Sequence, residues 1–272
     1  MMQICVLASG SSGNCTLVRT PRTTVLIDAG LSARETSRRL ARLGLDPAAL
    51  QAIVVSHEHS DHTTGLGVLH RRYGMPLYAN RGTVDGLRRR QPKLDLPWTL
   101  FTTGAPFTIG DLTLEPFAVP HDAYEPVAFV LRAAACCVGI VTDLGMTTHV
   151  VRERLRTCQA LVLETNHDLE LLRAADRPWS LKQRIAGRQG HLSNDGAAEL
   201  VVELARGGHL RQVFLAHLSR DCNAADLARE TLARALRAAG LAEVLLSGTY
   251  PDRISAVWEG ARFSMANQPE TK

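Results

Sequence analysis

Seven consecutive residues, Ser56-His57-Glu58-His59-Ser60-Asp61-His62, hold three imidazoles and two carboxylates. Imidazole and carboxylate together suit zinc, iron or manganese, and no cysteine in the cluster demands a soft structural site. The cluster follows Ala52-Ile53-Val54-Val55, an apolar run that reads as a short buried strand, and Thr63-Thr64-Gly65 then opens a helix. A strand's period of two puts His57 and His59 on one side, and the turn beyond brings Asp61 and His62 back toward them. A plain polar turn is a poor account of this stretch, because its imidazoles would repel one another once protonated at the end of a buried strand. The chemistry predicted is metal binding.

Other ligand-type residues stand just past apolar runs that read as strands. Asp28 follows Val25-Leu26-Ile27, and His121 follows Phe117 to Pro120. Asp143 ends the stretch from Cys136 to Thr142, Glu164 follows Leu161 to Leu163, and His217 follows Val213 to Ala216. Strand ends from different parts of a sheet converge on one edge, so these side chains can meet. A two-metal site needs roughly seven or eight protein ligands around ions about 3.5–4 Å apart, and the sequence supplies that number.

The elements that must position these residues are strands in both halves of the chain with helices between them. Gln3 to Ala8 and Thr16 to Arg19 read as strands around the loop Ser9 to Asn14. Helices are expected over Ala33 to Leu43, Gly65 to Tyr73, Leu169 to Ala174, Leu181 to Gly187, Asp195 to Arg206 and Ala224 to Ala239. Leu77-Tyr78-Ala79 is a short strand, and Arg88-Arg89-Arg90 closes the helix after it as a solvated face, with phosphate contact the lesser alternative. Gly110-Asp111 between two apolar triplets predicts a hairpin. Ala128 to Arg132 continues the sheet, and Val244 to Leu246 with Ile254 to Trp258 completes it. One domain is expected over residues 1–263, with a polar, disordered tail over 264–272.

The 272 residues, 45% hydrophobic, are enough to bury a sizeable core. A net charge of +4 does not by itself imply a polyanionic partner. Of 31 basic residues only Lys93, Lys182 and Lys272 are lysines. A GC-rich coding sequence accounts for that bias, while arginine's planar fork also grips phosphate oxygens in pairs. Six cysteines without regular spacing read as reduced core residues. The N-terminus lacks a charged leader with a cleavage site, and no apolar run approaches the ~20 residues of a membrane span, so a cytoplasmic protein with no membrane partner is expected.

Asp28, His57-x-His59-x-Asp61-His62, His121, Asp143 and His217, in this order, resemble the five motifs of the metallo-β-lactamase superfamily, over nearly the whole chain. Finer stretches are similar to the YycJ/WalJ group of that superfamily. They are Ala8 to Asn14, His121-Asp122-Ala123, Thr142 to Gly145, Glu164 to Asp168, Gly190 to Asn194 and Ala216 to Ser219. The second half also resembles ribonuclease Z, with Glu164, His191 and His217 in the places of its Glu loop, Gly-His loop and final His. The long arm by which ribonuclease Z grips tRNA is missing, as is the insertion of the RNase J nucleases.

The resemblance implies an α/β fold, the αββα sandwich of two mixed sheets with helices on the outer faces, and a site for two divalent metal ions at one edge. It implies His57, His59 and His121 on one ion, Asp61, His62 and His217 on the other, Asp143 bridging, and Asp28 orienting ligands. It also implies a metal-dependent phosphodiesterase, with DNA as the nucleic-acid partner, cut from 5′ to 3′ by a hydroxide held between the ions. Asp61, His191 and Glu164 are the expected catalytic residues, His191, held by Glu164, giving a proton to the leaving oxygen. His167 is an alternative ligand or acid. Ser11 and Asn14 offer a phosphate-binding loop or only a tight turn. Ser193 and Asn194 read first as a helix N-cap and second as substrate contacts. A hydrolase of a small phosphodiester or thioester, and a non-catalytic metal-stabilised binding module, are the competing readings.

Overall fold

Strand-forming runs and amphipathic helices sort into four layers in the computed structural model, which describes residues 1–260. The expected tail over 264–272, and the expected domain end at residue 263, lie outside the described residues. In chain order the first sheet takes β1 (Gln3–Ala8), β2 (Cys15–Arg19), β3 (Thr24–Ile27), β4 (Ala52–Val54), β5 (Leu77–Ala79) and β6 (Trp98–Leu100). The second takes β7 (Phe107–Ile109), β8 (Leu112–Ala118), β9 (Val127–Ala133), β10 (Cys136–Val141), β11 (Ala160–Glu164), β12 (Gln212–Ala216) and β13 (Leu245–Gly248). The last strand, β14 (Trp258–Glu259), returns to pair with β1. Each sheet has seven strands, ordered β14-β1-β2-β3-β4-β5-β6 and β13-β12-β11-β10-β9-β8-β7. Both are mixed: β1, β2 and β3 pair antiparallel, whereas β3 to β6 and β10 to β13 run parallel.

The inner faces of the two sheets meet over Ile4, Val18, Ile27, Phe129, Ile140 and Phe214, all buried. On the outer face of the first sheet, α1 (Ala33–Ala41), α3 (Leu66–Tyr73) and α4 (Arg81–Arg90) bury Leu40, Leu69 and Leu87. Outside the second sheet, α5 (His149–Leu155), α8 (Asn194–Ala205) and α9 (Ala225–Ala238) bury Leu155, Leu200 and Leu232. Three short helices, α2 (Ser60–Thr63), α6 (Leu169–Ala174) and α7 (Trp179–Ile185), cap the edge where the parallel strands end. This is the αββα sandwich, and parallel strands aligned in one direction are what bring their C-terminal tips to one edge.

Two expectations need correction. No helix is expected at His149–Leu155, yet Thr148 caps α5 there by accepting from Val151 N; the paired valines Val150 and Val151 weaken the helical signal. Ile254 to Val257 are not strand: Ser255 reaches β1 through Val6 N, which donates to its Oγ, and only Trp258 and Glu259 pair with β1.

Phe129 is fully buried between the sheets, edge-on to Phe101 at 5.9 Å between ring centroids. Truncating it leaves a cavity that rigid strands on both sides cannot collapse. Phe129→Ala is therefore expected to lower unfolding free energy by about 3–5 kcal/mol in urea denaturation. A loss under about 1 kcal/mol would place the ring outside the tight inter-sheet packing.

Candidate metal centre

The site is assembled from tips that leave their strands abruptly. Asp28, Asp143 and His217 have φ of 64°, 56° and 55°, left-handed values that non-glycine residues seldom adopt. Each turns its side chain inward one or two residues past β3, β10 or β12, and such backbone strain concentrates where function requires it. Backbone bonds then lock three loops together: Asn14 N donates to Asp61 O at 2.7 Å, Ala29 N to His62 O at 2.8 Å, and Gly30 N to Asn14 O at 2.9 Å. His217 N donates to Ser9 Oγ at 2.7 Å, tying the second sheet to the loop after β1.

Gly30 is at the crossing point. A Cβ there would lie 1.7 Å from Asp61 O and 2.5 Å from Asn14 N, both backbone atoms with no freedom to rotate away. Gly30→Ala is expected to cost about 3 kcal/mol, the upper end of overpacking, and to lower bound metal with it. Thermal melting and elemental analysis of the variant check this; unchanged metal content would contradict the interlock.

The predicted donors come together. His57, His59 and His121 form one group whose ligand atoms all lie within 4.8 Å of one another, as do His57, His62 and Asp143, and Asp61, His62 and His217. Asp143 is common ground: its Oδ2 is 2.9 Å from His62 Nε2, and its Oδ1 is 3.7 Å from His121 Nε2 and 3.6 Å from His217 Nδ1.

The imidazoles are oriented by what holds their other nitrogen. His62 Nδ1 meets Asp28 Oδ2 at 2.7 Å, His57 Nδ1 meets Ser56 Oγ at 3.0 Å, and His121 Nδ1 meets Gly190 O at 3.1 Å. His217 Nδ1 meets Glu164 Oε1 at 2.8 Å. In each case Nε2 is left to face the centre, the arrangement by which metal-binding histidines fix their tautomer. Asp28 also accepts from Ser56 N and Ser56 Oγ, at 2.8 and 2.9 Å.

Among the described residues, His57 Nε2 and His217 Nε2 are buried without a hydrogen bond, and Asp143 Oδ2 lacks an aligned donor. Buried polar atoms of this kind cost free energy unless something satisfies them. Three such atoms in one oxygen-and-nitrogen cage fit divalent cations.

The electrostatics agree. Burial holds His57 well below the ordinary imidazole range, and His62 beside it pushes the same way, so its lone pair stays free. Burial alone would lower His62 and His217, but Asp28, Asp143 and Asp61 hold the first well above its ordinary value, and Asp143, Asp61 and Glu164 the second. Burial would raise Asp143, yet His217 and His62 keep it well below the carboxylate range.

Glu164 holds His191, as expected, and a second imidazole besides. It is fully buried. Its Oε1 holds His191 Nδ1 and His217 Nδ1, each at 2.8 Å, and its Oε2 accepts from Leu144 N at 2.7 Å and Leu192 N at 3.1 Å. Burial opposes its ionisation, but His191 and His217 keep its pKa at about 2. It positions two imidazoles and cannot itself reach a substrate. His191, by contrast, lines an open pocket of about 450 Å³ beside His217. Arg177, Arg184 and Arg220 stand on its walls. Arg184 is paired with Asp122, Arg177 with Asp221, and Arg220 Nη2 donates to Ser12 Oγ at 2.8 Å.

Of the expected substrate contacts, only Ser11 lines this pocket. Asn14 is buried, its Nδ2 3.2 Å from Asp61 Oδ2 and 3.0 Å from His62 Nε2, so it braces the cage. Ser193 caps α8 through Gly196 N, and buried Asn194 exchanges bonds with Asn223. His167 is buried, kept neutral by burial, belongs to none of the donor groups, and its ring nitrogens find no partner among the described residues. Sequence reasoning missed Ser56, whose hydroxyl joins Asp28, His57 and His62, and Asn166, whose Nδ2 donates to His217 O at 2.7 Å. Both lay inside stretches noted for other residues, and nothing in a hydroxyl or an amide marks such a role.

Residues 23–218 match the β-lactamase superfamily domain. The chain is 37% identical over 239 residues to the exodeoxyribonuclease WalJ of Streptococcus pneumoniae, covering 87% of this chain and 88% of that protein. It is 36% identical over 236 residues to the exodeoxyribonuclease YycJ of Bacillus anthracis, covering 86% and 89%. The metallo-β-lactamase fold protein YhfI of Bacillus subtilis superposes with a TM-score of 0.72 at 16% identity, over 95% of this chain and all of that one.

Proposed function

This chain belongs to the β-lactamase superfamily, in the group of WalJ and YycJ, and on that premise we propose that it is a metal-dependent exodeoxyribonuclease removing nucleotides from DNA 5′ ends. The observation that carries the reading is the cage itself, with His57, Asp143 and His217 presenting unsatisfied buried atoms toward one another. The similarity to two exodeoxyribonucleases along most of their length supports the choice of DNA.

His57, His59 and His121 would hold one divalent ion, and Asp61, His62 and His217 the other, with Asp143 shared between them. Bound there, zinc, manganese or iron would supply a hydroxide nucleophile at neutral pH and neutralise charge gathering on phosphorus. The chain's own groups do the rest. Asp28, Ser56, Gly190 and Glu164 fix the four ring orientations, so no imidazole must turn during the reaction. His191, anchored at Nδ1 by Glu164, keeps Nε2 for the pocket and donates its proton to the leaving 3′-oxygen. Arg177, Arg184 and Arg220 offer planar donors for phosphate oxygens, which would exchange places with Asp221, Asp122 and Ser12. Six free buried cysteines suit a reducing compartment, the cytoplasm. Among the described residues no helix is long and apolar enough to cross a membrane.

The test is a cleavage panel with zinc, manganese and iron on 5′- and 3′-labelled duplex and single-stranded DNA, RNA and bis(p-nitrophenyl) phosphate. Mononucleotides released progressively from DNA 5′ ends are expected, with affinity falling as salt rises. Turnover of the small ester with no release from any polymer would overturn the nuclease reading.

A further inference from the structure

Three residues past His121, Tyr124, 52% exposed, holds an aromatic ring against the loop that carries His57 and His59. An exposed ring is unremarkable alone, but this one is fixed in place. Tyr124 N donates to Glu58 Oε1 at 3.1 Å, and Glu58 is buried between His57 and His59 in the chain. The ring edge rests on Gly86 of α4, where a Cβ would come 2.8 Å from Tyr124 Cδ2 and 2.7 Å from Glu58 Cγ. Arg89 completes the support. Its guanidinium carbon is 5.4 Å from the ring centroid, and its Nη1 donates to the tyrosine hydroxyl at 3.3 Å.

The arginine triplet that closes α4 is therefore docked against the cage loop and is more than a solvated face. Arg90 Nη2 stands 3.9 Å from Glu58 Oε1 and Arg88 3.9 Å from Asp85. Arg89 has no carboxylate partner among the described residues, so its charge stays available to a polyanion.

We propose that Tyr124 and Arg89 form a stacking and phosphate-binding platform for a DNA strand on the His59 side of the cage, which commits the enzyme to ends whose bases have left the duplex. This rests on the nuclease reading above. A half-exposed ring backed by a guanidinium presents a π-face to any base, and the free cation beside it matches the strand's phosphates. Such stacking tolerates sequence and requires an unpaired base, which a fraying or single-stranded end supplies at least cost.

The experiment uses DNA carrying 2-aminopurine near its 5′ end, titrated into metal-loaded protein under single-turnover conditions, with binding also read by anisotropy in calcium. Wild type is expected to quench the probe on binding. Tyr124→Ala is expected to lose the quench and weaken affinity for single-stranded ends about tenfold, while Tyr124→Trp restores both. Arg89→Ala should reduce the slope of log affinity against log salt by about 0.7 for a single strand. DNA cleavage by wild type together with an unaltered quench and affinity in Tyr124→Ala would overturn the platform alone. A wild type that hydrolyses the small ester yet neither binds nor cuts DNA would overturn the nuclease reading and the platform with it.

Discussion

Replacing Asp143 by asparagine is expected to lower DNA cleavage on the order of 10³-fold or more and to take bound metal from two ions to one or none. Asparagine is the informative replacement. It tolerates the left-handed backbone at φ 56° at least as well as aspartate does, so the turn after β10 survives. What disappears is one charge, at the only carboxylate among the described residues within 3.7 Å of His62, His121, His191 and His217 together. Circular dichroism should be unchanged while elemental analysis and cleavage fall together. Full activity in Asp143→Asn would mean that the two donor groups do not share this residue.

The second large effect concerns the proton. His191→Ala is expected to slow release of a nucleotide about 10²–10⁴-fold, the usual worth of a positioned general acid. Its loss on bis(p-nitrophenyl) phosphate should be far smaller, because a nitrophenolate departs without a proton whereas a sugar 3′-oxygen does not. Measuring kcat for both substrates separates this from a general disturbance of the cage. Equal losses would assign His191 a structural part, with Glu164 then serving His217 alone. Glu164→Gln is predicted to harm both substrates, since the buried carboxylate holds His217 as firmly as His191.

How much of this could be read from residues alone follows from the range of each interaction. The histidine cluster after β4 was legible because its ligands, His57 to His62, are five positions apart at most and the strand ahead of them is wholly apolar. Asp28, His121, Asp143 and His217 were legible as polar breaks after buried strands, and parallel pairing through β10, β11 and β12 is what carries such breaks to one edge. The left-handed backbones of Asp28, Asp143 and His217 were not legible, since few non-glycine residues adopt them and nothing local marks which do. Ser56 acts through its backbone N and its hydroxyl, Gly190 through one carbonyl, and Glu164 was expected beside His191 but not also on His217. Asn14 reads as part of a loop whose N–H groups and hydroxyls could hold a phosphate, and Asn194 first as a helix cap and second as a substrate contact, and both amides are bonded inside the fold. The Arg88–Arg90 triplet read as surface by helical position, and the close approach at Gly86 is what sets Arg89 and Arg90 against Tyr124 and Glu58.

The most direct test of the central claim is anomalous diffraction from crystals of the metal-loaded protein, collected at the absorption edge of the bound metal. Two peaks about 3.5–4 Å apart are predicted, one bonded to His57, His59 and His121, the other to Asp61, His62 and His217, with Asp143 touching both. A single peak served by one group, or peaks outside these residues, would contradict the two-metal cage and the hydrolysis built on it.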